Sequence, residues 1–554
     1  MSKWLDEAIF YEIYPQSFCD SNGDGIGDIN GIISKLDYVR GLGCNAIWMN
    51  PCYDSPFVDA GYDVRDYYKV APRYGTNDDM KRLCSEVHRR GMHILLDLVP
   101  GHTSDQCEWF RESQRDAKNE YSDRYIWTDT VWENVGDIVN VMGMTRGGTE
   151  RNGAYLNNFF NAQPALNYGF AHVDPDRPWQ QSPDAEGPRA TVEAMKNVMR
   201  FWLSLGCDGF RVDMAGSLIK ADTDQSANIR LWQEFREFLD NEFPDAVMVS
   251  EWGQPDKSLL AGFHMDFLLH FGPSHYMDLF RTEIPYFSRK GNGDLTKFFD
   301  LYIENMEKTR YRHPDSRELP ATPDGGMMCI PSGNHDMIRM AQTLDPEEMK
   351  LAFAFIMTMP GVPFIYYGDE IGMKYVEGIP SVEGGYERTG SRSPMAFDDS
   401  ENAGFSDAPC SSIYIKQDES KSYINVKSEE DDPDSLLNEV KELTKIRQEH
   451  PALHNRSDFR LLAIGSSPSG NGEHYPLVFV RSCAAEKVLA IFNPSSRDVP
   501  LPIDLPESYE VIHTVGKIVS SGMPDQSLHG TSDISNKKDA LRIFPAESAV
   551  LLKF

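Results

Sequence analysis

The chain has 554 residues, too many for one ordinary hydrophobic core, so two or three domains are expected. Acidic residues outnumber basic ones 85 to 54, and the net charge of −31 excludes nucleic acid and anionic membrane surfaces as natural partners. No run of about 18 apolar residues occurs, which leaves nothing to span a bilayer.

The first residues, Met1 to Glu7, carry no long apolar segment of the secretory kind. Nine cysteines are scattered without a Cys-x-x-Cys pair, so neither a zinc site nor a disulfide framework is expected. Free thiols suit a reducing compartment, and a cytoplasmic protein, monomer or homodimer, is expected. Residues 9–18 read as a first strand, rich in aromatic and β-branched side chains. The loop that follows places Asp20, Asn22, Asp24 and Asp28 at the first, third, fifth and ninth positions, with Gly25 at the sixth and Ile26 at the seventh. That is the spacing of a calcium loop, in which the seventh residue offers its backbone carbonyl. Position twelve is Gly31, where an EF-hand has Glu. A structural Ca2+, or Mg2+ in its place, is expected; the alternative is an Asp/Asn/Gly turn without metal. No organic cofactor is expected.

A helix over 32–42, a strand over 46–50, a helix over 77–90 and a strand over 94–99 follow. Strands alternating with helices make parallel βαβ units, and continuous apolar strands have both faces covered. From 103 to 168 the rhythm stops, and an inserted domain is expected there. It resumes with a helix over 192–205 and the stretch Gly209-Phe210-Arg211-Val212-Asp213. Strands over 247–252, 265–269, 327–330 and 362–367 complete a set of eight, with a helix over 230–243 between the fourth and fifth. The fold class is therefore α/β: a (β/α)8 barrel over 1–102 and 169–455, with the insertion at 103–168 after strand three. A helix over 435–450 precedes alternating runs in 456–554, which predict a C-terminal antiparallel β-sandwich domain.

Barrel enzymes work at the C-terminal ends of their strands. Polar residues fall there: Asp97 and His102, Arg211 and Asp213, Glu251, His335 and Asp336. Arg211 and Asp213, two apart on a strand, share a face, so the guanidinium favours an ionised carboxylate. A nucleophile and a structural ion pair both fit that pattern. Three carboxylates, Asp213, Glu251 and Asp336, with no serine triad, phosphate loop or dinucleotide fingerprint, suit glycoside hydrolysis. One attacks or stabilises the sugar cation and another protonates the leaving oxygen.

The segments 97–102 (DLVPGH), 209–213 (GFRVD), 250–252 (SEW) and 334–336 (NHD) resemble the four signature regions of the α-amylase superfamily. The calcium-like loop, 61–67 (GYDVRDY), 163–167 (QPALN) and 392–395 (RSPM) are similar to its oligo-1,6-glucosidase and α-glucosidase branch. The resemblance implies Asp213 as nucleophile, Glu251 as acid/base and Asp336 as transition-state stabiliser, with Arg211 orienting Asp213. It implies that His102 and His335 bond the first sugar and that Tyr62 stacks on it. It also implies that Asp63, paired with Arg392, holds the non-reducing end and closes the pocket. The chain departs from the family at Gly101, where asparagine is usual, at Ala165, where aspartate is usual, and at Met214 after the nucleophile. The linkage stays open.

The function these features imply is a retaining, exo-acting α-glucosidase on disaccharides or short oligosaccharides. The alternatives are a transglucosidase or isomerase of trehalose synthase or sucrose-converting type, and a barrel that only binds sugar.

Overall fold

The computed structural model describes residues 3–290, 293–310, 326–465, 474–519 and 543–554. Eight parallel strands close a barrel: β1 (Phe10–Ile13), β2 (Ala46–Met49), β3 (His93–Leu98), β4 (Gly209–Val212), β5 (Val247–Ser250), β6 (Met265–Phe267), β7 (Met327–Pro331) and β8 (Val362–Tyr366). Each pairs with its sequence neighbour and β8 pairs with β1, Phe364 opposite Phe10.

Side-chain parity separates the two faces of every strand. Phe10, Trp48, Leu95, Val247, Val249, Met265, Phe267, Cys329, Val362 and Phe364 point inward and form one buried cluster. Ile13, Ile47, Met49, Ile94, Leu96, Phe210, Val212, Met248, Ile330 and Ile365 alternate with them and pack in the larger cluster under the helices. Gly209 permits the close approach of β4 to β5: its φ is +147°, and a Cβ there would sit 2.0 Å from the Val247 carbonyl oxygen.

Outer helices show the expected start signals. Thr76 caps Asn77–Arg89 in a capping box with Asp79, and Asp345 caps Pro346–Thr358 in another with Glu348. The expected strand over 9–18 is shorter than predicted, because Pro15 has no N–H to give a ladder and opens a helical turn, Pro15–Phe18. The expected helix over 32–42 is two helices, Ile29–Ser34 and Leu36–Gly41, broken at Lys35.

Between β3 and the helix Glu186–Leu205 the chain forms a short helix, Glu108–Ser113, and a hairpin, Gly143–Arg146 with Ala154–Asn157. Ile126, Val135, Ile138, Leu156, Ala165, Phe170 and Trp179 form a small separate core there. At the C-terminus an antiparallel sheet is ordered β9 (Asp458–Ile464), β10 (Leu477–Ser482), β11 (Lys487–Asn493), β13 (Ser548–Lys553), β12 (Glu510–Gly516). A two-stranded ribbon, Val499–Pro500 with Ile543–Phe544, accompanies it. The sheet packs on the barrel helix Pro346–Thr358, where the Phe355 ring meets Phe479 and Phe492. Among the described residues no helix is long and apolar enough to cross a membrane.

Candidate active site

The inward parity of the barrel strands carries on past its apolar layer. Two residues beyond Phe10, Leu95, Gly209 and Val249 stand Glu12, Asp97, Arg211 and Glu251, and Asp213 is two further on from Arg211. The polar layer at the strand ends is thus the next layer of the barrel interior.

Arg211 is its hub. Its Nη1 donates to Asp97 Oδ1 at 2.8 Å and to Asp213 Oδ1 at 3.2 Å, while Nη2 lies 2.7 Å from Glu251 Oε2. All four side chains are buried. Burial pushes the Asp97 carboxyl up to about 6, against the pull of Arg211. Burial, then the charge of Glu251, pushes Asp213 well above the usual carboxylate range, again opposed by Arg211. Met214 follows in a left-handed conformation, φ 43° and ψ 43°, and its N–H donates to Glu251 Oε2 at 3.1 Å. A strained turn after Asp213 therefore also orients Glu251.

Asp336 sits in a second cradle. Arg392 Nη2 and Arg388 Nη1 both donate to its Oδ1, at 2.8 and 2.9 Å, and His335 Nε2 is 3.4 Å from Oδ2. Burial alone would raise this carboxyl; His335, Arg392 and Arg388 together hold it well below the usual range. Burial keeps the His335 imidazole neutral. Its Nδ1 is 2.8 Å from Glu12 Oε1, and its Nε2 is 2.8 Å from the Tyr62 hydroxyl. Tyr62 stacks on the His335 ring, 5.6 Å between centroids, and its hydroxyl reaches Asp97 Oδ2 at 3.2 Å. Asp213, Glu251, Asp336, Arg211, Tyr62, His335 and Arg392 thus belong to one connected network.

His102 is buried, its ring pushed down to about 3 by desolvation, with Nδ1 3.0 Å from Asn158 Nδ2. Asn158 also donates to the Gly101 carbonyl at 3.2 Å, and a Cβ on Gly101 would lie 3.0 Å from the same nitrogen. The space that the family's usual asparagine side chain would take at Gly101 is filled by an amide from the inserted segment.

The expected Asp63–Arg392 pair does not form. Asp63 is fully buried and its oxygens are occupied by Ser55 Oγ at 3.0 Å, Val58 N–H at 2.8 Å and Asp59 N–H at 3.0 Å, so it ties its own loop together. Arg392 turns to Asp336 and to the His335 carbonyl. The acid that faces the arginines is Asp59, with Oδ1 3.8 Å from Arg388 Nη2 and Oδ2 accepting from Gln163 at 2.8 Å. Burial pushes Asp59 up to about 6. Sequence reasoning missed Asp59, Arg388 and Glu12. Asp59 stands four residues from Asp63 in an irregular loop and Arg388 four from Arg392 in a short 3-10 helix, Tyr386–Arg392, and no apolar period in either tells which of two like residues turns inward. Glu12 had a signal, a lone acid at an inward position of an apolar strand.

In the calcium-like loop, Asp20 Oδ1 accepts from the N–H groups of Asn22 and Gly23, Asn22 Oδ1 from Asp24 N–H and Asp24 Oδ1 from Ile26 N–H. Asp28 caps the helix Ile29–Ser34 through Gly31 N–H at 2.7 Å and accepts from Ser21. The loop is a ladder of side-chain-to-backbone bonds. Among the described residues no group of three or more His, Cys, Asp or Glu side chains is disposed to hold a metal.

The sequence profile of the alpha amylase catalytic domain matches residues 12–456. The chain belongs to the alpha-amylase family. Within that family it is 32% identical to the trehalose synthase/amylase TreS of Mycobacterium tuberculosis, over 93% of this chain and 86% of that one. It is 31% identical to an oligo-1,6-glucosidase of Bacillus sp. (strain F5), over 88% of this chain and 100% of that one. Among solved structures, a trehalulose synthase superposes with a TM-score of 0.77 at 26% identity, covering 100% of both chains. An alpha-amylase-family barrel with this constellation at its strand ends is an enzyme of glycosidic bonds in glucosides.

Proposed function

We propose that the protein is a retaining, exo-acting α-glucosyl enzyme working on disaccharides or short oligosaccharides. The observation that carries the reading is the Arg211 fork, which holds Asp213 and Glu251 on two nitrogens of one planar group. Retaining enzymes use two carboxyls about 5 Å apart, one attacking and the other handling the proton, and a shared guanidinium supports such closeness here. Glu251 protonates the glycosidic oxygen while Asp213 attacks the anomeric carbon, and the glucosyl-enzyme forms. Glu251 then takes a proton from the incoming hydroxyl, which displaces Asp213. Asp336, ionised between two arginines, bonds the hydroxyls beside the reacting carbon and stabilises the positive charge that develops there. Tyr62, His335 and His102 bind the same sugar, and Asp59, Arg388 and Arg392 wall off its far end, which gives exo action.

Water or a sugar can supply that hydroxyl. Hydrolysis is the first reading, supported by likeness to oligo-1,6-glucosidases. Transfer or isomerisation is the second, favoured by a trehalose synthase relative over 93% of the chain and a trehalulose synthase neighbour over all of it. Incubation with sucrose, maltose, isomaltose and trehalose, followed by chromatography, decides between them. Free glucose alone supports hydrolysis, and a new disaccharide from the same glucosyl unit supports transfer. No reaction with any of the four would sink both.

We further propose that the 20–28 loop takes Ca2+, or Mg2+ in its place, through Asp20, Asn22, Asp24, Asp28 and the Ile26 carbonyl. The spacing of oxygen donors supports this. No preformed acidic cluster does, so an ion would have to draw Asp28 away from its helix cap. All nine cysteines are free and seven are buried, which supports a reducing compartment such as the cytoplasm.

A further inference from the structure

Outside the site, one ion pair braces the two loops that close the far end of its pocket. The first loop carries Phe57, Asp59 and Tyr62; the second runs from Gly372 to Arg392 and carries Arg388 and Arg392. Glu383, its side chain 4% exposed, accepts from Arg73 Nη1 at 2.6 Å and Nη2 at 3.2 Å, and from the Tyr414 hydroxyl at 2.7 Å. Arg73 also donates to Gln16 Oε1 at 2.7 Å and to the Tyr74 hydroxyl at 2.8 Å, and its guanidinium lies 3.2 Å from the centre of the Phe57 ring. One planar cation therefore holds an aromatic of the first loop on its face and a carboxylate of the second on its edge. This is a geometry open to Arg and not to Lys.

The backbone on both sides is in an uncommon state. Phe57 and Ala60 in the first loop, and Glu383 and Tyr386 in the second, all have φ between 45° and 59°. Side-chain-bearing residues stay in that region only where their surroundings over-determine them. Where the loops touch, a Cβ on Gly384 would lie 2.7 Å from the Val58 carbonyl oxygen and 3.2 Å from the Phe160 ring. The Gly384 carbonyl in turn accepts from Arg388 Nη2 at 3.1 Å, and Arg388 Nη1 reaches Asp336. An unbroken chain of contacts runs from Arg73 through Glu383, Gly384 and Arg388 to the sugar-binding carboxylate. Neither Arg73 nor Glu383 has any contact with Asp213, Glu251 or Asp336 among those described.

We propose that the Arg73–Glu383 pair is a positioning clasp that sets the closed end of the glucosyl pocket, seating Arg388 on Asp336. This rests on the reading of the Asp336 cradle as the glucosyl site. The clasp opposes loop opening, so it acts on binding, not on bond cleavage itself.

The test uses the full chain with Arg73→Ala, Arg73→Lys and Glu383→Gln. With p-nitrophenyl α-glucoside, the single variants should raise KM by about tenfold and move kcat by less than about threefold, since one lost contact of this kind is worth roughly one decade. Arg73→Lys should behave like Arg73→Ala. Amide hydrogen exchange over 55–63 and 378–392 should quicken in the single variants. Unchanged KM or unchanged exchange in Arg73→Ala and Glu383→Gln would each overturn the clasp, as would a fall in kcat at constant KM. Wild-type protein inert on every α-glucoside would overturn the functional reading instead. The exchange measurement would then still judge the clasp.

Discussion

Replacing Arg211 with Met removes the charge that three carboxylates share while keeping most of the side-chain volume. The guanidinium is 3% exposed and lies within 3.2 Å of Asp97, Asp213 and Glu251. Taking one partner from a buried pair costs about 3–5 kcal/mol, because the other charge is left without compensation. Three pairs on one cation do not add, since the carboxylates answer by taking up protons, so about 4 kcal/mol at pH 8 is a fair figure. In a domain of this size that corresponds to a melting temperature lower by about 5 °C. The pH dependence separates this cause from lost packing. Without Arg211 the folded-state carboxyls of Asp97 and Asp213 rise further above their unfolded values, so the folded form binds more protons than the unfolded one. Its stability then increases as pH falls. The deficit relative to wild type should therefore shrink between pH 8 and pH 5. Thermal unfolding of both proteins across that range, followed by circular dichroism, measures it. A deficit that stays constant with pH, or widens on acidification, would refute the electrostatic account. Activity should be lost in the variant at every pH.

Asp213→Asn should leave the circular dichroism spectrum and melting temperature near wild type while lowering kcat by roughly 10^4-fold or more, the scale on which a covalent nucleophile acts in other enzymes. Retained turnover with p-nitrophenyl α-glucoside would remove Asp213 from the mechanism. Asp266, fully buried on β6, is pushed up to about 7 by desolvation, although Ser250 and the Trp252 N–H bond to it. An acid with a raised folded value adds stability as pH falls from about 7 towards its unfolded value near 4, so wild type should melt higher at pH 6 than at pH 8. Asp266→Asn should flatten that slope, and an unaltered slope would clear Asp266 of the effect. A chelator should lower the melting temperature, and added Ca2+ should restore it in proportion to its concentration, if the 20–28 loop holds an ion. The same curve with and without both would argue for the self-supporting ladder of hydrogen bonds alone.

The barrel was legible because its signals are local. Short apolar strands and capped helices repeat with a spacing that admits few other folds, and the signature residues stand at fixed offsets from strand ends. Asp213, Glu251 and Arg211 could be located because strand parity carries a residue two positions past the apolar layer into the mouth. The same parity would have reached Glu12. Loops obey no such period. Asp59 and Asp63 are both acids in one turn, and only the folded backbone shows that Val58, Asp59 and Ser55 consume the oxygens of Asp63 and leave Asp59 facing the arginines. Likewise Arg388 and Arg392 converge on Asp336 from one short 3-10 helix far along the chain from it. Asn158 fills the gap left at Gly101 from more than fifty residues along the chain. Sequence by itself determined which chemistry the protein carries, since periodic elements place residues by counting. Tertiary structure alone decided which of several equivalent charges meet, because a contact between loops is set by the packing of segments that counting along the chain does not relate.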